Sequence, residues 1–269
     1  MRYIIDNDLH VHTRLSICSK DEGQTPAAIL EHEKARGIKR ICIADHYWDS
    51  AVPVSTIVNW WYEKQNYDHI SQSLPLPQDP EVEMLFGCEA DVDSLSRVGV
   101  PPQRYDDFDF IVIPTTHFNH MTGPAWEDTS PQALAAHWVQ RLDAVLNTDL
   151  PFKKTGIAHL ACPLVCRGDH EGHLAALDAI PQAELDRLFT KAAALGVGIE
   201  INAGDFLFAD EEAEHVLRIF RTAKACGCKF YLASDAHGRE AFAVVDGLFN
   251  RAIDLLDLQE SDKFIPARS

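Results

Sequence analysis

Residues 8–13 read DLHVHT, at the end of the strand-like run that begins at Tyr3. His10 and His12 are separated by one valine, and side chains two residues apart in a strand lie on the same side of it. The two imidazoles can therefore converge on one point, as the ligands of a metal ion do. The alternative for this stretch alone is a pair of exposed polar residues at the end of a strand.

The rest of the chain alternates strand-like and helix-like segments. The strand-like runs occupy residues 3–10, 38–46, 81–91, 108–117, 154–160, 197–204 and 228–237. The helix-like runs occupy residues 26–37, 55–74, 130–147, 181–196, 210–227 and 239–256. This alternation predicts a parallel sheet, and seven strands in 269 residues predict a closed or nearly closed α/β barrel. An open nucleotide-binding sheet is disfavoured because no GxGxxG follows the first strand.

No linker, repeat or low-complexity segment divides the chain, so residues 1–269 are predicted to form a single domain. The longest loops are predicted at residues 73–80, 91–107 and 162–180. The last residues, 259–269, are expected to form a loosely held tail.

The composition is that of a globular protein, with 46% hydrophobic and 24% charged residues. No apolar run reaches the roughly 18 residues of a membrane span, so no membrane partner is expected. The chain lacks the basic and apolar start of a signal peptide, and a cytoplasmic location is therefore expected. The formal net charge of −17 disfavours nucleic acid as a partner. Seven cysteines without a framework spacing predict reduced thiols.

Every predicted strand carries a histidine, aspartate or glutamate at or near its C-terminal end. These residues are His10, His12, Asp45, His46, Glu89, His117, His159, Glu200, Asp235 and His237. The C-terminal ends of the strands of a parallel α/β barrel share one face, where active sites lie, so the side chains are predicted to meet in one pocket. One histidine at a strand end is more often an ordinary polar residue, but seven strand ends together indicate a metal centre. Glu200 and Asp45 have an alternative role as acceptors that orient a ligand histidine, and Asp45 could also be an ion-pair partner below the site.

Three further histidines, His120, His170 and His173, lie in predicted loops and are expected to surround the same face. The segment DHEGH at residues 169–173 resembles a ligand pattern but has no predicted helical frame. It is therefore interpreted as a mobile rim or a substrate contact rather than as a metal site.

Taken in order, DLHVHT, ADH, GCEAD, TTH, AHL, EINAG and SDAH resemble the motifs of the PHP family, which is named for polymerases and histidinol phosphatases. The resemblance runs from residue 8 to about residue 240. HxH alone is a weak signal, whereas the ordered set is specific. The resemblance implies a distorted (β/α)7 barrel of TIM-barrel type, which agrees with the seven strands counted above. It also implies two or three divalent metal ions and the hydrolysis of phosphate esters.

The resemblance further assigns ligands to two metal ions. The first would be held by His10, His12, Glu89 and Asp235. The second would share Glu89 and would also be held by His117 and His159. A mixed set of imidazoles and carboxylates suits Zn, Mn or Fe.

A third metal ion is implied between His46 and His237. Family members with three metals often carry another histidine about six residues after HxH, and Cys18 stands at that position. Three alternatives follow: Cys18 is a thiolate ligand, Asp21 is the ligand in its place, or the third site is half-occupied. Cys18 could also be a plain loop residue.

The resemblance implies a metal-activated hydroxide that attacks a phosphoryl group whose charge the same cations stabilise. Asp235 or His237 could relay a proton to the leaving group. Arg14, Lys20 and Arg167 lie in loops on the same face, and one of them could bind the phosphate, although each is also an ordinary surface charge.

The predicted function is therefore metal-dependent hydrolysis of a phosphate monoester on a small molecule, with histidinol-phosphatase-like activity as a narrower hypothesis. One alternative is a nuclease of the TatD type, which His46, His237 and the acidic surface disfavour. A second is amidohydrolase chemistry, which commonly uses a carboxylated lysine, and no lysine ends a strand in this chain. A third is a non-catalytic metal-dependent binding module. The sequence does not specify the ester, the metal or the oligomeric state.

Overall fold

Short runs of Ile, Val, Phe and Leu form parallel strands at the centre of the molecule. The computed structural model describes residues 1–53 and 64–267 of the chain. The strands in these residues are β1 (Asn7–Val11), β2 (Arg40–Ile43), β3 (His46–Tyr47), β4 (Glu83–Ala90), β5 (Phe110–Pro114), β6 (Thr155–Ala158), β7 (Gly198–Asn202) and β8 (Lys229–Ala233). They follow the order β1-β2-β4-β5-β6-β7-β8, with the two-residue β3 beside β4. All of the pairs are parallel, and the predicted barrel of seven principal strands is confirmed.

Helices cover the outside of this sheet. In the described residues they are α1 (Pro26–Ala35), α2 (Tyr67–Ile70), α3 (Pro131–Val145), α4 (His170–Ala179), α5 (Gln182–Leu195), α6 (Ala213–Ala225) and α7 (Phe242–Leu256). Local signals explain several ends: the Ser130 side chain caps α3 before a proline, and Gly196 ends α5 at a φ of 74°. The helix predicted at residues 55–74 lies partly outside the described residues, and α2 falls in its described part. Among the described helices, none has the length and apolar character needed to cross a membrane.

Two predictions about loops are wrong. The segment DHEGH opens helix α4, whose first turn is capped because the Asp169 side chain accepts a hydrogen bond from the Gly172 N–H. The tail is held through residue 267: Phe264 is buried, and its N–H donates to the carbonyl of Phe230 at 2.7 Å. Lys263 also pairs with Asp6 at 2.9 Å, so apolar burial and charge pairing overcome the loop-like composition of both segments.

The barrel closes between β8 and β1 through side chains as well as through the backbone. Asn7 and Asp8 accept hydrogen bonds from the N–H groups of Leu232 and Ser234 at 3.0 and 2.9 Å. Higher on the seam, the Asp235 N–H donates to the carbonyl of residue 10 at 2.8 Å. The barrel is therefore nearly closed, and it is distorted at this seam.

The interior below the mouth of the barrel is filled by large aromatic side chains set against glycines. Tyr231, Phe110 and Phe264 belong to one buried apolar cluster inside the barrel. A Cβ atom at Gly156 would overlap the ring of Tyr231, and one at Gly198 would lie 2.8 Å from Phe264. Both glycines are therefore required by the close approach of the rings rather than by backbone conformation.

We predict that Gly156→Ala lowers the free energy of unfolding by roughly 1–3 kcal/mol, because the added methyl group forces Tyr231 out of its place. Gly247→Ala is the control: it lies in α7 with nothing within 4 Å of an added Cβ, and should stabilise the protein by about 0.5–1 kcal/mol. Urea unfolding followed by circular dichroism measures both. A Gly156→Ala variant with an unchanged midpoint would contradict the close packing of Tyr231 on Gly156.

Candidate metal centre

The C-terminal ends of the strands bring buried histidines and carboxylates together at the mouth of the barrel. Among the described residues, three groups have all of their ligand atoms within 4.8 Å of one another. The groups are His10–His12–Glu89, Glu89–His117–His159 and His12–His46–His237. The structure thus brings together seven of the eight side chains predicted as metal ligands. The eighth, Asp235, lies 3.0 Å from the Nε2 atom of His12.

A bulge in β1 aims its histidines inward. Asp8 is opposite Ile41 and Val11 is opposite Ile43, so β1 has one residue more than β2 over this stretch. Leu9 packs in the cluster inside the barrel, whereas Val11 packs in the cluster outside it. After the bulge, His10 and His12 therefore share the inner side, with their Nε2 atoms 3.1 Å apart.

Glu89 of β4 lies at the centre of the site and is only 1% exposed. One carboxylate oxygen, Oε1, is 3.0 Å from Nε2 of His159 and 3.7 Å from Nε2 of His117. The other, Oε2, is 2.6 Å from Nδ1 of His46 and 3.5 Å from Nε2 of His12. The carboxylate therefore faces imidazoles from four different strand ends.

This arrangement fits divalent metal ions. Within the described part of the chain, the buried Oε2 atom of Glu89 makes no hydrogen bond of regular geometry, although Nδ1 of His46 lies 2.6 Å from it and Nε2 of His12 lies 3.5 Å from it. A buried carboxylate oxygen without a well-aligned hydrogen bond is costly, and a cation offsets that cost. Nitrogen and carboxylate ligands in this combination are those that zinc, manganese and iron accept.

Two of the predicted ligands have strained backbones. His159 and Asp235 have φ angles of 33° and 52°, in the region that favours glycine.

The imidazole of His237 stacks on that of His12 at 3.9 Å, and its Nδ1–H donates to the carbonyl of Asp235 at 2.8 Å. Nε2 of His237 is thereby left as the nitrogen available for a ligand.

Glu200 of β7 orients its neighbours instead of joining a ligand group. Its Oε2 atom accepts from Nδ1 of His10 and from the Tyr231 hydroxyl, each at 2.9 Å. Its Oε1 atom accepts from the Asn202 amide at 2.9 Å and from the His159 N–H at 3.1 Å. Because four donors surround the carboxylate, it directs His10 toward the site and links it to the aromatic floor below.

Asp45 has a similar role for His12. It accepts hydrogen bonds from the N–H and the hydroxyl of Thr13, each at 2.7 Å, and from the hydroxyl of Ser16 at 2.6 Å. The Ser16 oxygen in turn lies 2.7 Å from Nδ1 of His12 and accepts its proton. These two hydrogen bonds, from His12 to Ser16 and from Ser16 to Asp45, direct Nε2 of His12 toward the other ligands.

Sequence reasoning assigned no role to Asp91, which completes the site. It is buried, and its Oδ1 atom accepts from Nδ1 of His117 at 2.6 Å. The signal was present in GCEAD, because Asp91 follows Glu89 by two residues and so lies on the same side of the strand. Thr116 was also missed: its hydroxyl accepts from Nδ1 of His159 at 2.9 Å.

The electrostatics of the site keep Glu89 and Asp235 charged. Burial would raise the pKa of Glu89, but the imidazoles of His46, His10 and His117 hold it well below its usual value. Burial opposes the charge of Asp235 too, but His10, His12 and His237 together outweigh it, so the pKa of Asp235 also lies well below its usual value. Both groups are therefore ready to bind a cation at neutral pH.

The imidazoles differ among themselves. Burial and the neighbouring His237 lower the pKa of His12 well below its usual value, so His12 is neutral and can ligate a metal. Burial disfavours charge on His10 as well, but Glu200 and Asp235 raise its pKa well above its usual value. A cation that binds at His10 has to displace a proton, so its affinity rises with pH.

The structure places Cys18, and not Asp21, against the third group. Burial raises the pKa of the Cys18 thiol, but His46 and His237 together lower it below its usual value. Asp21 pairs with Arg239 through both carboxylate oxygens, at 2.8 and 3.0 Å, and this pairing lowers its pKa to about 2. Neither Asp21 nor Cys18 is a member of the three ligand groups, but the Cys18 thiol interacts with His46 and His237.

The three basic residues predicted to bind phosphate are all exposed. Arg14 is 51% exposed and lies 3.8 Å from Glu22. Arg167 lines a cavity of about 280 Å³ together with Phe118, the residue that follows His117. Lys20 lies in the loop after β1.

Of the three histidines predicted to surround the site, one lies beside a predicted ligand and two lie in helix α4. His120 lies beside His117, with ring centres 5.8 Å apart. His173 is buried in α4 and its Nε2–H donates to a backbone carbonyl at 2.9 Å, while His170 pairs with Glu212 at 2.6 Å. The expectation that DHEGH lacks a helical frame is therefore wrong, because both of its histidines belong to helix α4.

Comparison with known proteins gives matches in fold. No known family model matches the chain, and no curated protein matches its sequence. Histidinol phosphate phosphatase from Lactococcus lactis subsp. lactis, crystallised with zinc, L-histidinol and phosphate, has a TM-score of 0.54 at 16% identity, over 92% of this chain and 94% of that chain. A protein from Listeria monocytogenes assigned as a candidate histidinol phosphatase has a TM-score of 0.56 at 11% identity, over 88% of this chain and 97% of that one.

At these identities the two matches establish a shared fold over nearly the whole length of each chain. The parallel sheet of this chain, in the order β1-β2-β4-β5-β6-β7-β8, itself confirms the distorted (β/α)7 barrel that the ordered motifs implied.

We predict that Asp91→Asn weakens zinc binding by roughly 10–100-fold, because the amide cannot hold His117 with the same charge and hydrogen bond. Asp21→Asn is the control and should leave zinc affinity unchanged, since Arg239 already occupies that carboxylate. Competition with a chromophoric chelator measures both affinities. The opposite ranking of the two variants would show that Asp21, and not Asp91, supports the metal site.

Proposed function

We propose that the protein hydrolyses a phosphate monoester of a small molecule with two or three divalent metal ions. The observation that carries this proposal is the pair of ligand groups, His10–His12–Glu89 and Glu89–His117–His159, that share the carboxylate of Glu89 at the mouth of the barrel. A shared ligand requires neighbouring cations, and paired cations are typical of enzymes that cleave phosphate esters. The fold shared with a phosphatase crystallised with zinc and phosphate supports the same reaction class.

The proposed ligands follow the three groups. One ion would be held by His10, His12, Glu89 and Asp235. A second would be held by Glu89, His117 and His159, and a third by His46 and His237 with Cys18 beside them, because the one free nitrogen of His12 serves the first ion. When bound, such ions act as Lewis acids toward phosphoryl oxygens and lower the pKa of water.

The protein's own groups supply orientation and proton transfer. Glu200 and Asp91 hold the imidazoles of His10 and His117 so that the opposite nitrogens face the centre. Asp235 and His237 have side chains that are 26% and 33% exposed, so they are the predicted ligands best placed to exchange a proton with a leaving group at the mouth.

The charge of the molecule shapes the choice of substrate. With a formal net charge of −17, the protein repels an extended polyanion, whereas a small ester meets mainly the local cations of the site. Arg14, Lys20 and Arg167 are the basic residues proposed to hold its phosphate, and Arg167 has the guanidinium geometry for a bidentate contact. Histidinol phosphate is one candidate, since the related Lactococcus lactis structure contains L-histidinol and phosphate.

We predict that Glu89→Gln loses bound metal and lowers the phosphatase rate by roughly 100-fold or more, while the barrel stays folded. Glutamine keeps the size of the side chain but removes the charge that faces five imidazoles. Glu83→Gln, on the same strand but paired with Arg40, is the control and should keep metals and activity. Elemental analysis, circular dichroism and a phosphate-release assay are made on one sample. A Glu89→Gln protein with at least two metals and the wild-type rate would refute the bridging role.

We also predict at least two transition-metal ions per chain and a preference for small monoesters over DNA. Protein purified without chelator is analysed for metals and assayed with a panel of phosphate monoesters, including histidinol phosphate, and with single- and double-stranded DNA. Less than one metal per chain after reconstitution with zinc, manganese and iron would exclude the proposal. Efficient cleavage of DNA without turnover of monoesters would favour the TatD-type nuclease instead.

A further inference from the structure

A buried arginine lies behind the metal centre. Arg141 of α3 is 1% exposed, and its guanidinium donates to three backbone carbonyls. Nε donates to Thr115 at 2.7 Å, and the two terminal nitrogens donate to Asp93 at 2.8 Å and to Val92 at 2.9 Å. Burial of a cation is costly, and it is offset at this position by a planar set of donors that matches several acceptors at once.

These carbonyls belong to the two segments that carry part of the site. Val92 and Asp93 directly follow Asp91, which orients His117. Thr115 stands two residues before His117 itself. One guanidinium therefore joins the segment after β4 to the segment after β5 at the point where Asp91 and His117 must meet.

The same face of α3 also contacts the third segment of this group. Trp138 precedes Arg141 by three residues, so the two side chains lie on one face of the helix. The indole N–H of Trp138 donates at 2.9 Å to the carbonyl of Leu160, the residue after His159. Helix α3 thus contacts the segments after β4, β5 and β6, which carry the group Glu89–His117–His159.

We propose that Arg141 is a positioning residue that fixes Asp91 and His117 relative to each other and so sets the metal affinity of the group Glu89–His117–His159. The proposal rests on the proposed function in one respect, namely that this group binds a metal ion. Sequence reasoning alone could not suggest it, because an arginine in a helix usually reaches the solvent.

The test separates positioning from general stability. Arg141→Met removes the donors but keeps an apolar side chain of similar length. Arg218→Met is the matched control, because Arg218 of α6 also donates to backbone carbonyls, those of Leu177 and Ile180, away from the strand ends. Both variants should lose stability, so urea unfolding is recorded for each, and binding is measured where both are folded. The probes are zinc competition with a chelator and the visible spectrum of the cobalt-substituted protein.

We expect Arg141→Met to weaken the affinity of one zinc ion by roughly 10–100-fold and to change the cobalt spectrum. Arg218→Met should change neither. Wild-type affinities and spectrum in a folded Arg141→Met protein would overturn the role of Arg141 and leave the proposed function intact. A wild-type protein that binds no metal would overturn both.

If Arg141→Met does not fold, Arg141→Lys keeps the charge but not the planar set of donors, and the same loss of affinity is expected. If neither folds, hydrogen exchange of the wild-type protein decides. The amides of residues 91–93 and 115–117 should then become protected together when zinc is added. Independent protection of the two segments would overturn the proposal.

Discussion

The carboxylate of Glu89, buried among imidazoles, is the interaction on which the mouth of the barrel depends. Opposite charges attract strongly in an interior of low dielectric constant, but a buried charge is stabilised overall only if hydrogen bonds satisfy its polar atoms. At Glu89 the protein groups within the described residues do not meet that condition in full, since Oε2 makes no hydrogen bond of regular geometry to the imidazoles around it. The site is therefore organised for ligands that the chain does not itself provide, and divalent cations match its chemistry.

Three further carboxylates behind the ligands orient the imidazoles of the site. Glu200 holds His10, Asp91 holds His117, and Asp45 holds His12 through a serine hydroxyl. Below them Tyr231 donates to Glu200 and packs directly against Gly156, where there is no space for a side chain. The hydrogen bond from Tyr231 to Glu200 thus links the packed interior of the barrel to the ligand His10. Substitutions below the site that move Tyr231 should therefore also affect metal binding.

Much of this could be predicted from sequence, because strand alternation and strand ends are local signals. The seven principal strands and the positions of the predicted ligands followed from them, and the fold is confirmed. Asp91 was missed although its spacing from Glu89 was visible, because a single carboxylate at a strand end has many uses. Helix α4 and the buried Phe264 were missed because long-range burial overrides a loop-like local composition. Arg141 could not be predicted, because its partners are backbone carbonyls that lie 26 to 49 residues away in sequence.

A metal ion bound at this site would also affect how the barrel closes between β8 and β1. This seam closes partly through the side chains of Asn7 and Asp8, and one of its bonds joins residues 226 positions apart. His10 and His12 lie on one side of the seam, and Asp235 and His237 lie on the other. An ion held by ligands from both sides is a cross-link between distant parts of the chain, as a disulfide is, and it ties the last strand to the first. Occupancy of the site would then govern how long the barrel remains closed, and resistance to proteolysis would depend on the supply of metal.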